Sequence, residues 1–299
     1  MNSSNAISNT VVKIQGGLGN QLFQYALGRS LQLTYHKHVT FDISGYGTDS
    51  SQIQRSYMLN HFNSEVNFAD QEQVNYLQKF QRKLGPIGFL KTLSTANSKR
   101  YFQDYGLEYN PRVFQQQPPV YISGYWQSER YFDSIADQIR HELTLKDAPN
   151  EKNSSVLSTI QNTPSISLHI RRGDYITNKT ANSFYGTISL AYYQAAVKKM
   201  ITEVPGATIY AFSDDPKWVK DNLKVDAPIE FVDWNSGDQA YEDLRLMAAC
   251  HHNITANSTF SWWGAWLNIN PNKIVIAPKN WFADPTIKND LLPQSWQRL

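Results

Sequence analysis

The sequence predicts an α/β protein with two halves, the second of which is built on a mostly parallel sheet. Its 299 residues exceed one ordinary domain of roughly 100–150 residues. Near the start, a β-branched run, a glycine turn, a helical period and a second β-rich run form one βαβ pattern. After residue 155, five apolar runs alternate with helical segments. Strands that alternate with helices form a mostly parallel sheet covered on both faces.

Composition excludes several classes of protein. Hydrophobic residues make up 41% and charged residues 18% of the chain, which rules out a disordered protein. The net charge of +2 is too small for a general nucleic-acid binder, although a local cluster could hold one or two phosphates. Cys250 is the single cysteine, so no intrachain disulfide or cysteine-based zinc site forms. Because no signal segment or transmembrane run is evident, we expect a cytoplasmic chain.

The first half is regular only at its two ends. Residues 49–119 show no clean alternation, and we expect helices and long loops there. The predicted strands are Val11–Gln15, His38–Asp42 and Val120–Trp126, and the predicted helices are Gln21–Tyr35 and Glu129–Leu143.

The second half follows a polar stretch, 146–155, which is the best linker by composition and sets the expected domains at 1–150 and 151–299. The predicted strands are Ser165–Ile170, Thr208–Phe212, Ile229–Val232, Asn253–Ala256 and Lys273–Ala277. The predicted helices are Leu190–Ile201, Pro216–Asn222, Gln239–Ala249 and Ser258–Leu267. In such a sheet, ligands bind beyond the carboxyl ends of the strands, near the point where strand order reverses.

The most informative motif is at the end of the first strand of this half, where His169 is followed by Arg171, Arg172, Gly173 and Asp174. Arginine keeps its charge and offers a planar fork of donors that matches phosphate oxygens, so a diphosphate would satisfy this pair. The alternative is that both arginines form structural ion pairs with nearby carboxylates, Asp174 included.

A second motif, Asn257-Ser258-Thr259-Phe260, follows the fourth strand and opens a helix. A helix N-terminus presents free N–H groups and a partial positive charge, which suits a phosphate. The alternative is ordinary capping by Asn257 or Ser258.

The glycine turn near the start contains Gly17, Gly19 and Asn20, but it is not a dinucleotide fingerprint because Leu22 replaces the third glycine. It also lacks the lysine of a phosphate-binding P-loop. A nicotinamide or flavin enzyme is therefore disfavoured. The turn either lets a ligand approach the backbone closely or is a plain tight turn.

Two acidic sites allow more than one interpretation. Asp214 and Asp215 precede Pro216 at a strand end and could bind a metal, but a helix cap is favoured. Glu242 and Asp243 lie in the first turn of a predicted helix, where acids are favoured by the helix dipole. If that helix flanks a nucleotide pocket, one of the two carboxylates could accept the paired N–H donors of a guanine edge.

Taken together, four motifs in order resemble the α-1,2-fucosyltransferases, the family that builds H-type antigens, in its bacterial form. They are Gly-Gly-Leu-Gly-Asn-Gln at 16–21, His-x-Arg-Arg-Gly-Asp-Tyr at 169–175, Phe-Ser-Asp-Asp at 212–215 and Asn-Ser-Thr-Phe-Ser-Trp-Trp-Gly at 257–264. The resemblance implies a GT-B-like fold with two Rossmann-like domains facing a cleft. It also implies an acceptor-side domain at 1–150 and a GDP-fucose-binding domain at 151–299. The implied reaction moves L-fucose from GDP-β-L-fucose to the 2-hydroxyl of a galactoside in an oligosaccharide acceptor, with inversion and with no metal or cofactor.

Site residues carried over from the resemblance fall into two groups. His169 and Asp243 match guanine-contacting residues of the distantly similar α-1,6 and protein O-fucosyltransferases, and Arg171 matches their diphosphate contact. The expected donor-binding residues are His169, Asp243, Asn257, Ser258, Thr259, Phe260, Gly17 and Gly19; the expected catalytic residues are Arg171, Arg172, Asp174 and Asn20.

The general base is left open by the sequence. Asp174 could accept the acceptor proton, but orientation of the arginines is the favoured role, while Asn20 could position the acceptor. Two other functions are compatible with the residues: another GDP-sugar transferase of the same fold, and a carbohydrate-binding protein without catalysis.

Overall fold

The computed structural model describes residues 9–46, 56–81, 99–235 and 237–299. The chain divides into two compact units. The first comprises residues 1–146 together with 288–291, and the second comprises 147–287 together with 292–299. Residues 288–291 thus belong to the first unit, although the chain before and after them belongs to the second.

The first unit contains a four-stranded parallel sheet in the order β2-β1-β4-β3. Its elements are β1 Thr10–Lys13, α1 Leu18–Leu33, β2 Val39–Asp42, α2 Gln71–Gln78, β3 Tyr101–Asp104, β4 Val120–Gly124 and α3 Ala136–Glu142. The predicted βαβ unit is confirmed, because β1 and β2 pair in parallel on either side of α1 in the chain.

Helix α1 is buried along most of its length and packs on this sheet. Gly28 sits under the ring of Phe41, where an added Cβ would lie 2.4 Å from the ring edge. Arg29 forms a buried ion pair with Glu142 of α3 at 2.5 Å, which ties the first helix to the end of the unit. Burial would raise the pKa of Glu142, but hydrogen bonds from Arg29, Tyr25 and Gln138 outweigh it and lower that pKa.

Two predictions for this half were incomplete. The 49–119 region holds a strand, β3, that the sequence did not reveal because its four residues bury only Tyr101 and Phe102. The helix expected over Glu129–Leu143 begins as two 3₁₀ turns, and α3 itself starts at Ala136. Phe132, buried between those turns, has φ −148° and ψ 13°, which interrupts the helix.

The second unit contains a six-stranded parallel sheet in the order β10-β9-β8-β5-β6-β7. Its strands are β5 Ser165–Ile170, β6 Thr208–Ser213, β7 Ile229–Val232, β8 His252–Ile254, β9 Val275–Ala277 and β10 Gln297–Arg298. Its helices are α4 Glu151–Asn162, α5 Gly173–Thr177, α6 Lys179–Tyr185, α7 Leu190–Glu203, α8 Pro216–Asn222, α9 Ala240–Ala249 and α10 Thr259–Leu267.

All five strands predicted for this half are present, with ends shifted by up to two residues, and the two-residue β10 adds a sixth. The expected linker is shorter than its composition suggested. Asn150 accepts a hydrogen bond from the backbone N–H of Asn153 at 2.9 Å and so begins α4 inside the polar stretch.

Strand β5 is the pivot of this sheet. It pairs with β6 on one side and with β8 on the other. The strands β6 and β7 therefore extend the sheet in one direction, and β8, β9 and β10 extend it in the other. When β5 to β10 are numbered 1 to 6, the strands lie in the order 3-2-1-4-5-6, which is the doubly wound order. The ligand crevice of such a sheet lies at the carboxyl ends of its first and fourth strands. Those strands are β5 and β8, and both predicted phosphate motifs follow them.

Across the described ranges, every helix is too short or too polar to cross a bilayer.

Candidate functional site

Residues from three neighbouring strand ends meet at the carboxyl edge of the second sheet. Arg171 and Arg172 follow β5, and Asp214 and Asp215 follow β6. The turn before α10 follows β8. Because β5 lies between β6 and β8, the arginines stand between the acids and the helix start.

Each arginine is held by a different carboxylate. Nη1 of Arg171 lies 2.9 Å from Oδ2 of Asp214, and Nε of Arg172 lies 3.3 Å from Oδ2 of Asp215. Oδ1 of Asp214 also accepts the backbone N–H of Arg172 at 2.9 Å. The ion-pair alternative is therefore what the structure shows, with partners from β6; the side chain of Asp174 lies outside the part of the chain that the structure describes.

Aromatic rings support both guanidinium groups. The guanidinium carbon of Arg172 lies 3.3 Å from the centroid of the Trp218 ring, and that of Arg171 lies 5.5 Å from the Tyr175 ring. Both arginine side chains keep about a fifth of their surface exposed, at 20% and 19%. The arginines are thus fixed by carboxylates and rings while still reaching solvent at the sheet edge.

The acidic pair has two separate tasks. Asp215 caps α8 by accepting the backbone N–H of Trp218 at 3.3 Å, so the predicted cap is confirmed. Asp214 is not a cap, because its carboxylate serves Arg171 and the backbone of Arg172. Sequence reasoning missed this role, because the contact depends on the side-by-side position of β5 and β6 in the folded sheet.

Gly173 is required by the close approach of Asp214. A Cβ placed on Gly173 would lie 2.3 Å from Oδ2 of that carboxylate and 3.0 Å from its Cγ. The φ of this glycine is outside the left-handed region, so space and not backbone conformation demands glycine here.

His169 is a buried imidazole on β5, two residues before Arg171. It is 4% exposed, and burial, with a smaller contribution from the positive charge of Arg171, lowers its pKa to about 3. Its ring lies 5.6 Å from the ring of Phe260, between centroids. Its Nδ1 finds no hydrogen-bond partner among the residues described, which is uncommon for a buried polar atom.

Asn257 and Ser258 have different roles in the turn before α10. Ser258 caps the helix by accepting the backbone N–H of Phe260 at 3.3 Å, so of the two predicted caps the structure selects Ser258. The buried amide of Asn257 instead donates to the carbonyls of Tyr185 at 2.9 Å and Trp281 at 3.1 Å. Asn257 therefore holds neighbouring loops against the helix start, and its candidate role in donor binding would be indirect.

Thr259 and Phe260 form the first turn of α10 and are half-buried. The helix carries no ionisable side chain, so its N-terminus contributes only backbone dipole and hydroxyl groups to the site.

Asp243 lies in the first turn of α9 and is half-buried. The pKa of its carboxyl is raised to about 7, mainly by burial. A hydrogen bond from Asn235 lowers this pKa, and the negative charge of Glu242 raises it further. Nδ2 of Asn235 donates to Oδ1 of Asp243 at 2.9 Å.

The remaining predicted residues belong to the first unit, in the turn between β1 and α1. Gly17 occupies the N-cap position, and its carbonyl accepts the backbone N–H of Asn20 at 2.9 Å. Gly19 is buried in the first turn of α1. The glycine that the backbone itself requires is Gly16, with φ +82°, which the sequence did not single out.

Glutamines brace this turn. The buried Gln21 donates to the carbonyl of Gly16 at 3.1 Å, and Gln24 accepts the backbone N–H of Gln15 at 2.7 Å. Oδ1 of Asn20 accepts a hydrogen bond from Gln127 at 2.8 Å. Gln127, 107 residues away in the sequence, was not identified as a partner because only folding brings the two together.

Within the described ranges, no group of three or more histidine, cysteine, aspartate or glutamate side chains is arranged to hold a metal ion.

Residues 9–299 match the sequence model described as Glycosyl transferase family 11. The chain belongs to glycosyl transferase family 11. This confirms the resemblance drawn from the four motifs, and the protein is a glycosyltransferase.

Similar members of the family have named activities. The Escherichia coli protein named O-antigen biosynthesis glycosyltransferase WbnK is 33% identical, over 96% of this chain and 99% of that protein. The Escherichia coli Alpha-1,2-colitosyltransferase is 29% identical, over 98% of this chain and 99% of its own length. The human Galactoside alpha-(1,2)-fucosyltransferase 1 is 26% identical over 50% of this chain and 43% of its own length.

Solved structures confirm the fold class. A point mutant of Arabidopsis thaliana FUT1 in complex with GDP matches with a TM-score of 0.54 and 9% identity, over 97% of this chain and 76% of that one. The NodZ alpha-1,6-fucosyltransferase soaked with GDP-fucose matches with a TM-score of 0.50 and 14% identity, over 87% and 92% of the two chains. At these low identities the similarity shows the fold alone. This family 11 glycosyltransferase has an α/β, GT-B-like fold with two Rossmann-like units.

Proposed function

We propose that this family 11 glycosyltransferase transfers L-fucose from GDP-β-L-fucose to the 2-hydroxyl of a galactoside, forming an α-1,2 linkage with inversion. The observation that carries the proposal is the pair of arginines, each held by its own carboxylate, at the switch point of a doubly wound sheet. Such a position is where α/β sheets of this order bind nucleotides.

The reaction explains why fixed cations are needed there. Breaking the bond between sugar and phosphate spreads positive charge on the sugar and adds negative charge to the departing GDP. Donors already aimed at the diphosphate stabilise that state more than the ground state, and they need no reorganisation during the reaction. Arg171 and Arg172 supply this charge, and the N-terminus of α10 adds N–H groups.

The guanine would be recognised by His169 and Asp243. Because the pKa of His169 is about 3, its imidazole stays neutral at physiological pH and can exchange hydrogen bonds without adding charge. An Asp243 carboxylate can accept the two adjacent N–H donors on the guanine edge. Gly17, Gly19, Asn257, Ser258, Thr259 and Phe260 complete the proposed donor-binding set.

The arginine–aspartate pairs also bear on the general base. The sequence favoured Asp174 as the group that orients the arginines, but Asp214 and Asp215 perform that task. We therefore assign Asp174 to accept the proton of the acceptor hydroxyl, which inversion requires. Asn20 is assigned to positioning of the acceptor.

The same pairs support a reaction without a metal. Asp214 and Asp215 are the acids that could have served as a metal-binding pair, and both are engaged by arginines. Arginine charge would do what a divalent ion does in other nucleotide-sugar enzymes.

Transfer of colitose is a second candidate. The 29% identical relative that covers nearly the whole chain is named for that sugar. Colitose differs from L-fucose by the missing 3-hydroxyl, so one hydrogen-bonding group in the sugar pocket would decide between them. A site built to bond that hydroxyl discriminates by about 10⁴–10⁵, whereas a merely apolar pocket discriminates weakly.

The proposal is tested by GDP release from GDP-fucose, GDP-colitose and GDP-mannose, each with and without a galactoside acceptor. We expect acceptor-dependent release with GDP-fucose at the highest kcat/KM. A preference for GDP-colitose or GDP-mannose would transfer the assignment to that sugar. Binding of the galactoside with no release from any donor would leave a carbohydrate-binding protein and refute the transferase proposal.

A further inference from the structure

The buried amide of Asn153 lies at the centre of a hydrogen-bond chain that ends on Asp243. Asn153 is 0% exposed, although it sits in the polar start of α4. Its Oδ1 accepts from Nε1 of Trp234 at 2.8 Å and from Nδ2 of Asn235 at 3.1 Å. Its Nδ2 donates to Oδ1 of Asn235 at 2.9 Å. The two amides thus bond to each other reciprocally.

Trp234 fixes the direction of every hydrogen bond in this chain. An indole N–H is only a donor, so the atom of Asn153 that faces it must be the carbonyl oxygen. The Nδ2 of Asn153 must then face the Oδ1 of Asn235. Nδ2 of Asn235 must then face both Asn153 and Asp243. If the amide of Asn235 were flipped, its Oδ1 would face the Oδ1 atoms of both residues, and neither hydrogen bond could form.

We propose that Trp234, Asn153 and Asn235 form a relay that positions Asp243 and maintains it as a hydrogen-bond acceptor for the guanine base of the donor. The inference rests on the proposed function, and it concerns three residues outside the proposed donor-binding set. They are positioning residues, since they would act on the base through Asp243.

The relay matters because Asp243 would otherwise favour its protonated form. Burial raises the pKa of Asp243 to about 7, and the hydrogen bond from Asn235 opposes this rise. Two adjacent N–H donors of guanine need an unprotonated carboxylate. A donor locked onto Oδ1 both stabilises that form and fixes the plane of the carboxyl group.

The charged groups around Asp243 lie on the elements packed against α9. The turn at 237–239, directly before α9, carries Asp238. On α9, Glu242 raises the pKa of Asp243, and Glu242 is itself paired with Arg245 at 2.9 Å. On α4, Glu151 and Lys152 are exposed, and α10 carries no ionisable side chain. On β5, His169 has a pKa of about 3 and is neutral near pH 7.

The test compares binding of GDP and IDP, which lacks the 2-amino group of guanine, by calorimetric titration between pH 6 and 8. The variants are Asn235→Ala, which removes the donor, and Trp234→Phe, which removes the indole N–H and keeps a ring. The matched control is Lys152→Ala, because Lys152 contacts the Trp234 ring at 3.9 Å without entering the relay.

In the wild type we expect GDP to bind more tightly than IDP, with affinity lost as pH falls through the pKa of Asp243. Asn235→Ala should lower the ratio of GDP to IDP affinity by about tenfold or more, since one hydrogen bond to a charged group contributes at least roughly this factor. It should also move the midpoint of the pH profile upward, because the opposing hydrogen bond is gone. Trp234→Phe should change both in the same direction by less, and Lys152→Ala should change neither.

Equal losses for GDP and IDP with an unmoved midpoint would show a merely structural role and overturn the relay. An unchanged ratio in both Asn235→Ala and Trp234→Phe would overturn it as well. A wild-type protein that binds neither nucleotide would instead refute the proposed function from which the relay starts.

Discussion

Replacing Gly173 with alanine tests whether the carboxylate of Asp214 holds the arginine motif in place. A Cβ at this position would meet Oδ2 of Asp214 at 2.3 Å and its Cγ at 3.0 Å. Oδ2 is the atom that pairs with Arg171, at 2.9 Å, and Oδ1 of the same group accepts the backbone N–H of Arg172. One added methyl group therefore displaces the carboxylate that holds the side chain of Arg171 and the backbone of Arg172.

Two opposing effects set the magnitude. Alanine favours a helix over glycine by roughly 0.5–1 kcal/mol, which would stabilise α5. Forcing an extra carbon into a filled site costs about 1–3 kcal/mol. The contact is far shorter than van der Waals distance, so the steric effect is larger, and we expect a net loss of about 1–2 kcal/mol in the free energy of unfolding.

The rate should fall more than stability does. A misplacement of about 1 Å in a catalytic group can lower the rate by roughly 10²-fold. We expect a loss of that order in single-turnover release of GDP from GDP-fucose with saturating acceptor, measured beside urea denaturation. Gly45→Ala is the control, because a Cβ there meets nothing within 4 Å.

A double-mutant cycle isolates the cause. If the methyl group acts by displacing Asp214, then adding Gly173→Ala to Asp214→Ala should lower the rate little further. Independent, additive losses, or a Gly173→Ala protein with the turnover of the wild type, would refute the reasoning.

Three further predictions concern the same site. Arg171→Ala should lower the rate by about 10²–10³, because one preorganised donor to the leaving group is lost. Arg171→Lys should restore little of that rate, because a lysine lacks the paired donors of a guanidinium group. Turnover of Arg171→Ala near that of the wild type would contradict the leaving-group role. Activity should survive EDTA; complete loss that Mn²⁺ or Mg²⁺ reverses would show that a metal takes part. Asp174→Asn should abolish transfer while calorimetry finds nearly unchanged GDP affinity, since an amide cannot accept the proton; weakened GDP binding would return Asp174 to an orienting role.

Local patterns predicted five strands and four helices of the second unit, because these elements are regular and bounded by clear signals, but they did not predict α4, α5 or α6. The hydrophobic run of β5 and the Asp-Pro start of α8 are both where the sequence placed them. In the first unit, β3 was missed because a four-residue edge strand with two buried side chains leaves no periodic pattern.

Site residues were predictable as types and positions, but not as partners. The sequence placed Arg171 and Arg172 at a strand end, and the structure confirms that position. It did not assign Asp214 to Arg171, because that contact joins two strands whose adjacency is decided by the whole sheet. Asn153 shows the same limit, since a polar residue in a polar stretch gives no sign that it is fully buried.

The central claim is that the enzyme places L-fucose on the 2-hydroxyl of a galactoside with inversion, and the structure of the reaction product tests it most directly. The protein is incubated with GDP-β-L-fucose and a galactoside, and the purified product is examined by NMR for the anomeric configuration and the linked carbon. The account predicts an α-fucosyl residue on O2 of galactose, formed together with GDP. A β-linked product, a linkage to another hydroxyl, or GDP release without a disaccharide linkage would contradict it.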